Sequence, residues 1–178
     1  MCSSDLWRAD YYQEIFNKNA IKNVLKLLHK HLPGKSILFT YRTAAEGGEG
    51  ITESDKYGAL CRKAIDSGYI DIIDIEYSMG WHTVRHITTY AKQRGVAVIS
   101  SSHDFEKTPL EDELRNRLSE MRKSGADIVK IAVMPRIPQE VLRIQSVAVE
   151  FSDSDNAVPV VAISMGKMGM ASRITGEI

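Results

Sequence analysis

Gly125-Ala126-Asp127-Ile128-Val129-Lys130-Ile131-Ala132-Val133-Met134-Pro135 is an almost wholly apolar run with one lysine at its centre. Short, rich in β-branched residues and bounded by glycine and proline, it carries the signal of a strand buried on both faces. A lysine is rarely buried without a purpose. Desolvation disfavours its ammonium form, lowers its pKa and frees the amine to attack a carbonyl. The stretch therefore nominates Lys130 as a Schiff-base lysine. A lysine that snorkels to water or pairs with a carboxylate is the competing reading, and on this stretch alone it is the commoner one.

The rest of the chain shifts that balance. Strand-like runs fall at Asp5–Asp10, Ser36–Arg42, Ile70–Glu76, Val96–Ser101, the lysine run and Pro159–Ser164. Helical patterns lie between them. One runs from Tyr12 to His31, with Ile15, Val24, Leu27, Leu28 and Leu32 as its apolar face and Pro33-Gly34 as its stop. A second opens at a Thr52/Asp55 capping box and ends at Gly68, and a third runs to Arg94 and Gly95. A fourth starts from Thr108 as N-cap, with Pro109 at the first helical position and Glu111 completing a capping box. It carries Leu110, Leu114, Leu118 and Met121 at helical spacing. A fifth covers Gln139 to Phe151.

Strands alternating with helices predict parallel βαβ units. No composition shift or low-complexity linker interrupts them, so residues 1–178 read as a single domain. In a (β/α)8 barrel the active site lies at the C-terminal ends of the strands. Arg8, Arg42, Glu46, His103, Lys130 and Arg173 all fall in such places, which is not expected of unrelated surface charges.

These residue types define a chemistry. Lys130 forms the imine, and His103, whose pKa lies near neutrality, shuttles the proton. Glu46 orients that histidine. Arg8, Arg42 and Arg173 imply an anionic, hydroxylated substrate, because a guanidinium fork matches a carboxylate. An imine acidifies the neighbouring carbon, so the expected reaction is an imine-assisted elimination or a retro-aldol cleavage.

Composition removes other classes. The 178 residues are 43% hydrophobic and 26% charged with net charge +0, so no basic surface predicts nucleic acid. No apolar run of about 18 residues predicts a membrane span, and a cytoplasmic protein is expected. Cys2 and Cys61 lack CxxC spacing. His82 and His86 stand at i and i+4 but have no third ligand close in sequence. Glu46-Gly47-Gly48-Glu49-Gly50 is glycine-rich but lacks the Gly-Lys-Ser/Thr of a phosphate loop. Alternation puts Asp74 and Glu76 on one strand face, where pairing with the arginines is preferred to a divalent metal. No metal or cofactor is expected.

At these residues the sequence resembles type I 3-dehydroquinate dehydratase. The resemblance is carried by Trp7-Arg8-Ala9-Asp10, by Leu38-Phe39-Thr40-Tyr41-Arg42-Thr43 with Glu46-Gly47-Gly48-Glu49, and by Ser102-His103-Asp104-Phe105 with Lys107-Thr108-Pro109. It continues through the lysine run and through Ser164-Met165-Gly166-Lys167 to Ser172-Arg173. It implies a TIM (β/α)8-barrel type of α/β fold and dehydration of 3-dehydroquinate to 3-dehydroshikimate in the shikimate pathway, without a metal. It also implies Lys130 as imine lysine, His103 as general acid/base with Glu46 as its partner, and Arg8, Arg42 and Arg173 around the substrate, in a homodimer. A class I aldolase and a non-catalytic interaction fragment are the alternatives.

The chain departs from the family pattern in three ways. Only six of the eight βα units are read, with the first and last strands missing. Leu6 stands where the family has a glutamate. Met1–Leu6 reads as translated adapter or vector sequence rather than the start of a buried strand. A fragment truncated at both ends is expected, with unpaired strand edges and weak or absent activity.

Overall fold

In the computed structural model, which describes residues 4–17 and 19–170, strands and helices alternate along the chain. The strands are β1 (Ser4–Arg8), β2 (Ser36–Thr40), β3 (Ile72–Glu76), β4 (Ala97–Asp104), β5 (Ile128–Val133) and β6 (Val160–Ser164). The helices are α1 (Ala20–His31), α2 (Ser54–Asp66), α3 (Trp81–Lys92), α4 (Glu111–Lys123) and α5 (Pro138–Ser152). Strand order follows the chain, β1-β2-β3-β4-β5-β6, and the β1–β2, β2–β3 and β5–β6 ladders are parallel. Parallel neighbours need a crossover, and each helix supplies one. The chain divides into two compact units, Met1–Ile99 and Ser100–Ile178, with the boundary inside β4.

In the first unit, β3 is buried on both faces, as a parallel strand under helices should be. Ile73 and Ile75 are 0% exposed, while Asp74 and Glu76 on the opposite face are 2% and 1% exposed. Phe39, Leu25, Ile87 and Tyr57 complete this core. In the second unit, Val129, Ile131 and Val133 of β5 are fully buried, and α4 contributes Leu114, Leu118 and Met121 at the expected helical spacing.

Several expected boundaries moved. α1 begins at Ala20, not Tyr12, because Asn19 takes a left-handed backbone (φ 72°) and residues 13–16 form turns. Its buried face is consequently Ile21 and Leu25, flanked by half-buried Val24 and Leu28, and Leu27 is exposed. Neither capping box forms: the N-cap residues are Glu53 for α2 and Leu110 for α4, without side-chain caps. Leu110 is therefore exposed rather than part of the buried stripe. Residues 4–6, expected to be foreign to the fold, lie in β1, with Leu6 opposite Leu38 and half exposed. Arg173 lies outside the described residues.

Candidate functional site

The first unit gathers its ionisable side chains at the C-terminal ends of β1, β2 and β3. Arg42 follows β2 by two residues and is 4% exposed. Its Nη1 donates to Glu46 Oε2 at 3.3 Å and Glu76 Oε1 at 2.9 Å, and its Nη2 donates to Asp74 Oδ2 at 2.6 Å. Asp74 and Glu76 thus pair with an arginine, as their alternation suggested. Burial works against charge on Arg42, but Asp74, Glu76 and Glu46 outweigh it and raise the guanidinium pKa further. Burial, and then repulsion by Glu46, pushes the Glu76 carboxyl up to about 7 against the pull of Arg42 and Thr43.

Glu76 also holds the chain that leaves β2. Its Oε1 accepts the Thr43 amide at 2.8 Å, and its Oε2 accepts the Thr43 hydroxyl at 2.6 Å. Behind it, the Tyr57 hydroxyl accepts the Glu76 amide at 3.0 Å and donates to the Asp74 carbonyl at 3.5 Å. Tyr57 is 0% exposed, so α2 fixes the backbone of both acidic residues from the buried side.

The glycine-rich loop has a structural reason. Gly48 and Gly50 fold back on Arg42, whose carbonyl accepts the Gly50 amide at 2.9 Å. A Cβ on Gly48 would stand 2.2 Å from that carbonyl oxygen, and one on Gly50 would stand 2.5 Å from it. The glycines let two stretches of backbone touch rather than cradle a phosphate.

Asp10 is the residue that sequence reasoning quoted but gave no role. Its two oxygens take Arg8 Nε at 2.8 Å and Nη2 at 2.7 Å as a bidentate pair, and also accept the Arg42 amide at 3.3 Å and the Glu49 amide at 3.2 Å. Burial works against its ionisation, but the Arg8 fork and the two amides outweigh it and hold the carboxyl below the usual range. Arg8 is thereby oriented, and Asp10 ties the end of β1 to the start and tip of the glycine loop. The available signal was an aspartate two residues after a strand-ending arginine.

The second unit carries the lysine and the histidine on hydrogen-bonded neighbouring strands, Lys130 on β5 and His103 on β4. His103 is next to last in its strand, whereas Lys130 is mid-strand, the third of six residues, as its central place in the apolar run indicated and not at the strand's C-terminal end with the other candidates. Both are half-buried, and Lys130 projects from the face opposite Val129 and Ile131. Asp104 accepts the amides of Glu106 and Lys107 at 3.1 and 3.0 Å, closing the turn that follows His103. The Met134 amide donates to the Lys107 carbonyl at 3.3 Å, tying the chain beyond β5 to that turn. The Ser164 carbonyl, at the end of β6, would stand 2.0 Å from a Cβ on Gly169, a second place where only glycine fits.

Elsewhere, His82 and His86 line surface hollows of about 330 and 540 Å³ beside Arg62 and Arg85. Among the described residues no group of three or more His, Cys, Asp or Glu is arranged to hold a metal ion. No described helix is long and apolar enough to cross a membrane.

Parallel strand–helix units, with ionisable side chains at or near the C-terminal ends of β1 to β4 and a lysine midway along β5, define the class, an enzyme of the (β/α)-barrel type. The family model for type I 3-dehydroquinase matches residues 6–178, and the chain belongs to that family. It is 40% identical over 172 residues to the 3-dehydroquinate dehydratase of Escherichia coli (strain K12), covering 97% of this chain and 68% of the relative. Among solved structures it is similar to the type I 3-dehydroquinate dehydratase of Clostridium difficile with covalently modified comenic acid (TM-score 0.93, 36% identity, 97% of this chain and 69% of that one). It is equally similar to the 3-dehydroquinate dehydratase of Enterococcus faecalis (TM-score 0.93, 36% identity, 99% of this chain and 73% of that one).

Proposed function

We propose that this chain dehydrates 3-dehydroquinate to 3-dehydroshikimate through an imine on Lys130. The observation that carries the reading is a half-buried lysine on β5 beside a histidine-bearing β4, inside the stretch matched by the family model. The covalently modified ligand recorded with the Clostridium difficile relative supports a covalent route.

The neutral Lys130 amine adds to the substrate ketone, and the carbinolamine loses water to give an iminium. His103 removes a proton from the carbon next to the iminium, and the electron pair is held as an enamine. The enamine expels the β-hydroxyl, which leaves as water with the proton returned by His103. Hydrolysis of the conjugated iminium then releases the enone and the free amine. One water is consumed and two are lost, so the net change is one dehydration. Glu46 supports the acid–base step. Arg8, Arg42 and Arg173 bind the substrate's carboxylate and hydroxyls. No cofactor takes part.

On this reading the protein acts in the shikimate route to chorismate and the aromatic amino acids, and a cytoplasmic homodimer is the form proposed for it. The test is turnover of 3-dehydroquinate, followed by the ultraviolet absorbance of the conjugated enone. Activity that disappears in Lys130→Ala supports the reading, and activity that survives it refutes the imine.

A further inference from the structure

We infer that Glu76 is a positioning residue, which clamps the Arg42 guanidinium and the first residue of the glycine loop, Thr43, into one fixed arrangement for the substrate. The inference rests on the dehydratase reading and goes beyond it, since neither the lysine imine nor the histidine proton transfer calls for a glutamate at this place.

The geometry carries it. β3 presents Asp74 and Glu76 on one face, two residues apart, and both reach the same guanidinium, at 2.6 and 2.9 Å. A planar fork held at Nη1 and Nη2 by different carboxylates has no rotational freedom left about its terminal bond. The same Glu76 carboxylate captures Thr43 by amide and hydroxyl, so the side chain of Arg42 and the backbone that follows it are fixed by one group. Tyr57 holds the β3 backbone at both acidic residues, and Gly48 and Gly50 hold the Arg42 backbone from the other side. Every part of this frame is buried: Arg42, Thr43, Glu46, Tyr57, Asp74 and Glu76 are each at most 4% exposed.

Burial of such a network is costly unless it is used, and an oriented cation in a dry setting is what electrostatic preorganisation requires. Glu76 touches no reacting atom in this account. It acts through Arg42 and Thr43, so its loss should weaken substrate binding and leave the imine chemistry intact.

The experiment uses the full 178-residue chain as wild type, Glu76→Gln, Glu76→Ala and Thr43→Val. Two readouts are taken: hydrogen exchange at the Thr43 amide, and the separate values of KM and kcat for 3-dehydroquinate. Glutamine keeps an acceptor for Thr43 and Arg42, so Glu76→Gln is expected to retain slow exchange and to raise KM by no more than about threefold. Glu76→Ala is expected to speed Thr43 exchange and raise KM by about tenfold or more, with kcat within about threefold of wild type. Thr43→Val removes only the hydroxyl arm and serves if Glu76→Ala does not fold; it is expected to raise KM by about threefold to tenfold. Unchanged Thr43 exchange in Glu76→Ala overturns the clamp. So does a loss confined to kcat, or failure of Glu76→Gln to rescue. A wild-type chain that neither turns over nor traps the substrate refutes the dehydratase reading instead, and Thr43 exchange then decides the clamp alone.

Discussion

Glu76 grips Thr43 twice, by its backbone amide at 2.8 Å and by its hydroxyl at 2.6 Å. The grip survives a change of protonation, because a hydroxyl both donates and accepts. With Glu76 ionised, Thr43 donates to Oε2; with Glu76 protonated, that oxygen can donate to Thr43 instead.

That proton gives the protein an unusual pH dependence. The charged groups facing Glu76 within its own unit are Arg42, Glu46 and Asp74, with Tyr57 and Cys61 behind it. Its native pKa is raised from 4.5 to about 7. The folded state therefore binds the proton more tightly than the unfolded chain. The stabilisation is complete below the unfolded value and is lost as pH rises through about 7. Urea unfolding at about pH 5 and about pH 8 should show wild type losing on the order of 3 kcal/mol more than Glu76→Gln across that interval. Parallel curves for the two proteins would count against a titrating Glu76.

Asp10 has the opposite sign. Its carboxyl is held below the usual range, so its stabilisation is present above the ordinary carboxylate value and fades as pH falls through the lower native one. Asp10→Ala removes four accepted hydrogen bonds and leaves Arg8 without its carboxylate partner. Denaturant melts near neutral pH should show a loss of about 2–3 kcal/mol, and the gap from wild type should narrow in strong acid.

Two glycine substitutions separate close approach from mere propensity. Gly48→Ala drives a Cβ to within 2.2 Å of the Arg42 carbonyl oxygen, so the loop must shift. Thermal melts should show a loss of more than about 2 kcal/mol, together with a raised KM. Gly58→Ala, within α2, meets nothing nearer than Arg62 Nη1 at 3.5 Å and should stabilise by about 0.5–1 kcal/mol.

Much of this was legible in the residues. Strand positions followed from apolar runs bounded by glycine and proline, and the alternation of Asp74 and Glu76 correctly pointed to an arginine partner. The chain between Tyr12 and Asn19 was misread because periodicity cannot see a left-handed asparagine. The capping boxes failed for a related reason. Thr52 and Thr108 have suitable partners downstream, but each helix opens two or three residues later, where the loop before it ends. The local signal for Asp10 was only its place two residues after the strand-ending Arg8, because the amides it also accepts come from residues 42 and 49. The site in each unit joins residues distant in sequence, and beforehand they were grouped only by their places along the strands and by motif resemblance.

The central claim is the imine on Lys130, and borohydride reduction in the presence of 3-dehydroquinate, followed by peptide mass mapping, tests it most directly. The account predicts a stable adduct on the peptide that contains Lys130, absent from Lys130→Ala and absent without borohydride. Folded protein that turns over 3-dehydroquinate with no adduct on Lys130 would contradict it.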